Sequence, residues 1–243
     1  MCRPSVVLTL GVVAISCAAV LIRLAEASPL TIAAYRMVIA SLVLLPVSLL
    51  RVPAEMFLLV RREWKLLTLA GLLLALHFGL WIASLSYTTV ASSVVLVTAT
   101  PLFVAIASWL LFGERLRRAT FVGIAISLGG ALLIGHVGWQ QGTLAHSGNI
   151  LALLAAVAMA GYLLIGRRIR RTAGLLAYST VVFSASALVL VVVVLATATP
   201  VRGYSIATYG ALLALALVPQ VVGHVSLNWA LRYVSATMVT IAV

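Results

Sequence analysis

Arg36 is a positively charged residue inside an apolar stretch, residues 30–50, that contains no other charged side chain. A charge within a membrane-spanning segment is costly to keep there, so such a residue is a functional candidate by default. We interpret Arg36 as a group that could attract a carboxylate or another anion, and the adjacent Tyr35 as a second candidate on the same helix. The structural alternative is that Arg36 extends to the outer end of its helix, about six residues or roughly 9 Å away.

Two further pairs of residues have helical spacing. His77 and Trp81 are four residues apart, as are His224 and Asn228, so each pair lies on one face of its predicted helix. If the two helices are related by symmetry, the pairs converge near the centre of the protein, and Trp81 offers a stacking surface. The alternative is that both histidines are buried, neutral and satisfied by hydrogen bonds within the core.

A proline interrupts another apolar segment. Pro101 follows Thr98 and Thr100 near the middle of residues 90–112, and it cannot bond to the carbonyl of Val97 four residues earlier. The sequence therefore predicts a kinked helix whose backbone acceptors and threonine hydroxyls face a cavity. A packing kink without a binding role is the alternative.

Glu114 lies at the end of that segment, next to Arg115, Arg117 and Arg118. It is a candidate gate residue that could form an ion pair at the inner end of the helix. A loop ion pair or a helix cap is the structural alternative.

The composition indicates what kind of protein must position these residues. Of 243 residues, 64% are hydrophobic and 8% are charged, with a mean hydropathy of +1.25. Soluble domains have roughly 45–50% apolar and about 25% charged residues. The composition therefore excludes a soluble domain and predicts an all-α, polytopic membrane protein.

Intervals without charged residues locate the predicted spans. We expect membrane helices at residues 5–25, 30–50, 66–86, 90–112, 119–136, 148–166, 175–197 and 209–230, with a ninth beginning near Ser235.

The distribution of Lys and Arg predicts the orientation. With the N-terminus inside, thirteen of the 16 basic residues lie in inner loops and two, Arg23 and Arg202, in outer loops. This asymmetry predicts a cytoplasmic N-terminus in a cell inner membrane. The net charge of +12 is distributed between apolar spans rather than over a solvated face, which argues against nucleic acid as a partner.

A shift of 146 residues superimposes the order of the spans in the two halves of the chain. The repeating unit has five spans, an odd number, so the second copy is inverted, as in many secondary transporters. We expect one unit at residues 1–137 and a second, incomplete unit at residues 148–243. On this interpretation about eight or nine of ten helices are present, and the chain is truncated at its C-terminal end.

Several segments resemble the EamA-type drug/metabolite transporters. The resemblance rests on residues 30–37 (LTIAAYRM) with Ala40, residues 76–81 (LHFGLW), residues 84–91 (SLSYTTVA), Pro101, and residues 113–115 (GER). It implies a ten-helix inner-membrane permease built from two repeats that transports a small molecule, such as a metabolite or an amino-acid-like solute. It does not identify the solute, the direction of transport or the oligomeric state.

Two other classes of function are alternatives to a permease. A membrane-embedded enzyme needs a nucleophile, an acid–base pair or metal ligands at suitable spacing, and we find no such motif. We therefore expect no catalytic residues, no metal site and no cofactor. A channel-like facilitator remains the alternative, since composition does not distinguish a continuous pore from an alternating gate.

Overall fold

The computed structural model describes residues 4–112 and 143–243, together with isolated helical positions between 121 and 133. Within these residues the chain is helical and contains no strand, which confirms the all-α prediction. The helices are α1 Pro4–Ser16, α2 Ala18–Leu24, α3 Pro29–Arg51, α4 Pro53–Tyr87, α5 Val90–Val97, α6 Thr100–Phe112, α7 Thr143–Arg170, α8 Leu175–Ala196, α9 Ile206–Leu215, a π-helical segment Ala216–His224, α10 Val225–Ala230 and α11 Ala236–Ala242.

Seven helical segments of the described residues are long and apolar enough to cross a membrane. They correspond to seven of the predicted spans. Three of them match the predicted bounds within one residue: Ser5–Leu24, Pro29–Arg51 and Leu175–Ala196. The predicted span at residues 119–136 lies largely outside the described residues. The chain is therefore a multi-pass membrane protein, while the inverted arrangement of its two halves stays a prediction.

Helix α4 is longer than the sequence predicted. It begins at Pro53 and includes the basic residues that we expected to form a loop, with a break in helical geometry at Glu63 (φ −123°, ψ 20°). Proline is favoured in the first turn of a helix, and Glu, Arg and Lys are good helix formers. The charged segment therefore continues the helix, although it lies beyond the apolar span.

Four of the helices have a side-chain N-cap at their first turn. Ser28, Thr89, Ser205 and Ser235 each precede a helix and accept a hydrogen bond from the backbone N–H three residues later, at 3.1–3.2 Å. Such caps satisfy donors that the first turn leaves unpaired. They set where each span starts and therefore which residues lie at mid-depth.

Two hydrogen bonds, each between the first turn of a helix and a loop from the other half of the chain, show which loops lie together at each end of the bundle. At one end the Glu55 carboxylate accepts a hydrogen bond from the backbone N–H of Gly174. At the other end the Thr31 hydroxyl donates to the carbonyl of Pro200 at 2.8 Å. The basic segments at residues 51–65 and 167–171 therefore lie at the same end of the protein.

Small residues allow the central helices to approach closely. A Cβ atom added at Gly71 of α4 would lie 2.5 Å from the Cβ atom of Ala185 in α8. Helix α7 presents fully buried alanines, among them Ala152, Ala155 and Ala156, in the same core. Close backbone approach of this kind is the main source of packing energy when lipid surrounds the helices.

Candidate functional site

A cavity of about 230 Å³ lies between α1, α2, α4, α5, α6, α7, the π-helical segment, α10 and α11. Most of its lining side chains are aliphatic, and a minority are polar or aromatic. The lining residues are Val12, Ile15, Ser16, Ala19, His77, Trp81, Val94, Val97, Thr98, Thr100, Met159, Leu163, His224, Leu227, Val239, Thr240 and Val243.

The cavity lies near the middle of the spans. Along α4, His77 is about 18 Å from Lys65, the last charged residue before the apolar part, and about 15 Å from Tyr87 at the end of the helix, at 1.5 Å per residue. Thr98 has a similar position in the segment formed by α5 and α6. A solute in this cavity would be held at the depth where transporter sites are found.

His77 and Trp81 both line the cavity from α4. Their rings are stacked, with centroids 6.0 Å apart and an interplanar angle of 19°. The Nδ1–H of His77 donates to the carbonyl of Ala155 in α7 at 3.0 Å, which fixes the orientation of the imidazole. The indole N–H of Trp81 is buried and has no hydrogen-bond partner in the described residues.

His224 lines the cavity from the last residue of the π-helical segment. Its Nδ1–H donates to the carbonyl of Pro219 at 2.9 Å. Phe78 lies between the two histidines, with ring centroids 4.9 Å from His77 and 5.1 Å from His224. The predicted approach of His77 and His224 is therefore present, through an aromatic ring that the sequence analysis did not single out.

Asn228 does not line the cavity, although it was predicted to share a face with His224. Its Oδ1 accepts from the hydroxyl of Tyr162 at 2.5 Å, and its Nδ2 donates to the Ser179 hydroxyl at 3.1 Å. Asn228 lies one turn further along the helix and about 40° around it from His224, because each residue turns an α-helix by about 100°. Leu227 occupies the cavity wall instead.

Arg36 is fully buried but is not part of the cavity lining. Its Nε donates to the Oε1 of Gln220 at 2.8 Å, and its guanidinium carbon lies 4.0 Å from the centre of the Phe78 ring. Nη2 is 3.4 Å from Nδ1 of His224, so the charge lies directly behind the cavity wall. Nη1 of Arg36 and Nε2 of Gln220 are buried without partners in the described residues.

Tyr35 also lies outside the cavity lining. Its hydroxyl donates to the carbonyl of Val201 at 2.8 Å, and its ring centroid is 6.1 Å from that of Tyr209. The side chain therefore connects α3 to the end of the bundle where Pro200 lies.

The predicted interruption before Pro101 is present. α5 ends at Val97 and α6 begins at Thr100, which together with Thr98 lines the cavity, whereas Pro101 itself does not. The Val97 carbonyl, which the proline cannot satisfy, accepts instead from the Thr100 hydroxyl at 2.7 Å. This acceptor is therefore already paired, contrary to the expectation that it would be open to the cavity.

Glu114, the candidate gate residue, lies outside the described residues. Three residues around the cavity were not predicted from the sequence: Phe78, Gln220 and Arg170. Gln220 is four residues before His224, so the helical spacing that selected Asn228 would also have selected it. Arg170 was counted with a basic loop, but its Nε donates to the Asn228 carbonyl at 3.0 Å and its side chain is buried.

The described part of the chain holds no group of three His, Cys, Asp or Glu side chains that could bind a metal ion. Its acidic side chains, Glu26, Glu55 and Glu63, lie at helix ends or within the basic segment of α4. The charge of Arg36 is accordingly not matched by a carboxylate in these residues.

A bundle of apolar spans with a cavity at mid-depth, and with buried polar residues around it, defines a polytopic membrane protein with an internal cavity. The EamA-like transporter family matches residues 5–135 and 146–243, and the chain belongs to this family.

Solved structures show the same fold. One crystal structure has a TM-score of 0.72 and 19% sequence identity to this chain, and the match covers 98% of this chain and 82% of the other. No curated protein sequence matches the chain.

Proposed function

We propose that this protein is a secondary transporter that exports a small metabolite or an amino-acid-like solute by alternating access. The observation that carries the proposal is the mid-depth cavity, which is bounded by helices of both halves of the chain. Membership of the EamA-like transporter family supports the general class. In this proposal His77, Trp81, Thr98, Thr100 and His224 contact the solute.

The remaining predicted residues have indirect roles in this proposal. Arg36 sets the electrostatic potential behind His224, and Asn228 holds α10 against α7 and α8. Tyr35 fixes one end of α3, and Pro101 with Thr100 provides a bend in the segment formed by α5 and α6. Such bends and broken helices are typical of transporter sites.

The experiment has two stages, because the solute is not known. Metabolites released into the medium are compared between cells that express the chain and cells that express Ala19→Phe, which fills the cavity. The matched control is Thr9→Val, because Thr9 lies on the exposed face of α1. We expect release of at least one metabolite to fall with Ala19→Phe and to remain unchanged with Thr9→Val.

The metabolite found is then labelled and tested in proteoliposomes. A carrier gives saturable flux that increases when the same solute is present on the opposite side of the membrane, whereas a channel-like facilitator gives no such increase. Equal release by Ala19→Phe and the parent protein would contradict the proposal.

We also propose that the protein lies in the cell inner membrane with a cytoplasmic N-terminus, as the distribution of basic residues predicts. Single cysteines at Arg62, Arg171 and Arg202 test this orientation with an impermeant maleimide, after Cys2 and Cys17 have been replaced by serine. We expect the first two to react only from the cytoplasmic side and Arg202→Cys only from the opposite side. Labelling of Arg62→Cys and Arg171→Cys from different sides would contradict both the orientation and the described ends of the bundle.

A further inference from the structure

The hydroxyl groups in the cavity wall share one property. Each lies on a helix or, for Thr98, in the turn between α5 and α6, and donates its hydrogen to a backbone carbonyl three or four residues earlier, so only its lone pairs remain for a ligand. The four donors and acceptors are Ser16 to Val12 (2.9 Å), Thr98 to Val95 (3.1 Å), Thr100 to Val97 (2.7 Å) and Thr240 to Ala236 (3.1 Å).

The two histidines in the wall have the same property. Nδ1–H of His77 donates to the Ala155 carbonyl. Nδ1 of His224 lies 2.9 Å from the Pro219 carbonyl and 3.4 Å from Nη2 of Arg36, and we assign its hydrogen to the shorter contact, with Pro219. A neutral imidazole with its hydrogen on Nδ1 has an acceptor at Nε2. Both rings therefore add lone pairs rather than hydrogens to the wall.

The described lining residues thus offer acceptors almost exclusively. They include no Lys, Arg, Asn or Gln side chain that could donate to a solute. The exception is the indole N–H of Trp81, a buried donor without a partner in the described residues. A carboxylate in this cavity would face many acceptors and few donors, which is unfavourable because a desolvated charge needs hydrogen bonds.

Charge and volume restrict the solute further. Nη2 of Arg36 is 3.4 Å from Nδ1 of His224, and its charge repels a cation in the low-dielectric interior. The same charge attracts an anion, but Arg36 is not part of the cavity lining and donates no hydrogen bond to a carboxylate there. The cavity of about 230 Å³ is larger than an apolar cavity of about 150 Å³ that accommodates benzene. Its aliphatic walls fit a solute whose apolar part is one ring or a branched chain of similar size.

We propose that this cavity selects an uncharged, ring-sized solute that carries a hydroxyl or N–H group, in preference to carboxylates and ammonium compounds. The inference rests on the proposed function, because it takes the cavity as the solute site. It narrows the proposed solutes to uncharged metabolites that can donate a hydrogen bond to the wall, and it disfavours amino-acid-like solutes, which carry both a carboxylate and an ammonium group. A hydroxyl group fits best, since it can also accept from Trp81.

Binding of four labelled probes to the chain in lipid nanodiscs tests this selectivity by equilibrium dialysis, with empty nanodiscs subtracted. Benzyl alcohol and anisole are isomers, but only the alcohol can donate a hydrogen bond. Benzoate and benzylammonium carry the same ring with a negative or a positive charge. We expect benzyl alcohol to bind about fivefold more tightly than anisole, the effect of one net hydrogen bond, and also more tightly than either ion.

Isosteric variants assign the effect to the cavity wall. Replacing Thr98 and Thr240 by valine removes two acceptors while keeping the shape of the wall, and we expect the preference for benzyl alcohol over anisole to fall toward onefold. The matched control, Thr9→Val, removes a hydroxyl that bonds to the Ser5 carbonyl at an exposed position and should leave the preference unchanged.

Three results would overturn the inference: equal binding of benzyl alcohol and anisole, tighter binding of either ion, or no saturable binding of any probe. None of these results bears on saturable, trans-stimulated release of a metabolite. Failure of the selectivity is therefore distinguishable from failure of the proposed transport function.

Discussion

Replacing Arg36 by methionine separates a structural role of this buried charge from a functional one. Methionine keeps an unbranched chain of similar length but removes the guanidinium, its hydrogen bond to Gln220 and its contact with the Phe78 ring. The structural interpretation predicts a large loss of stability. The functional interpretation predicts a stable protein with altered solute binding or transport.

The magnitude follows from three terms. Removing an arginine from the centre of a membrane helix recovers about 2.5–3.5 kcal/mol on insertion scales. Losing a hydrogen bond from a charged donor costs about 1.5–3 kcal/mol. Losing a desolvated cation–π contact costs about 1–2 kcal/mol. Because these terms largely offset one another, we expect the free energy of unfolding to change by an amount between a gain of about 1 kcal/mol and a loss of about 2.5 kcal/mol.

Reversible unfolding in mixed micelles with increasing sodium dodecyl sulfate measures this free energy. The matched comparison is Arg170→Met, since Arg170 is equally buried but donates to the backbone carbonyls of Asn228 and Ala173 at the end of α7. There we expect a loss of about 2–4 kcal/mol, because two carbonyl acceptors lose a charged donor. A loss above about 3 kcal/mol for Arg36→Met would refute the reasoning and assign Arg36 a structural role.

Two further predictions concern the backbone of the bundle. Thr100→Val should lower the free energy of unfolding by about 1–2 kcal/mol, because it leaves the Val97 carbonyl unpaired. The loss should be much smaller in the Pro101→Ala background, where a backbone N–H can replace the hydroxyl. A double-mutant cycle by the same unfolding assay measures this coupling, and equal losses in both backgrounds would contradict it. Gly71→Ala should lower the free energy of unfolding by about 1–3 kcal/mol, because the added methyl group forces α4 away from α8. Ala185→Gly should recover part of this loss in the double variant. No recovery would mean that the Ala185 side chain does not limit the approach of the two helices.

The bounds of the spans were predicted well from the sequence where a charged residue or a proline marks the end of an apolar run. Arg51 and Pro29 bound α3, and the apolar run of α8 ends just before Pro200, so charge and proline place these helices to within a residue. The same rule misplaced the start of α4, because it treats charged residues as connections. Their helix propensity instead extends α4 back to Pro53.

Within the candidate site, contacts between residues on one helix were predictable from their spacing, and the approach of His77 and His224 from the repeat. The spacing of His77 and Trp81 predicted a shared face, and the two rings are stacked. The surroundings of Arg36 were not predictable, because Gln220 is 184 residues away in the chain and its approach depends on how α3 meets the π-helical segment. Helical spacing alone likewise did not show that Tyr162 would hold Asn228 away from the cavity.

The pairing of Thr100 with Val97 also affects how the segment formed by α5 and α6 can move. A backbone hydrogen bond within a helix fixes the angle between successive turns, whereas a side-chain hydroxyl can rotate and remain in contact with its acceptor as that angle changes. The two parts of the segment can therefore swing relative to each other while the carbonyl stays satisfied. Surrounded by hydrocarbon, where an unpaired peptide group is strongly disfavoured, a change in this angle therefore leaves no unpaired carbonyl at Val97.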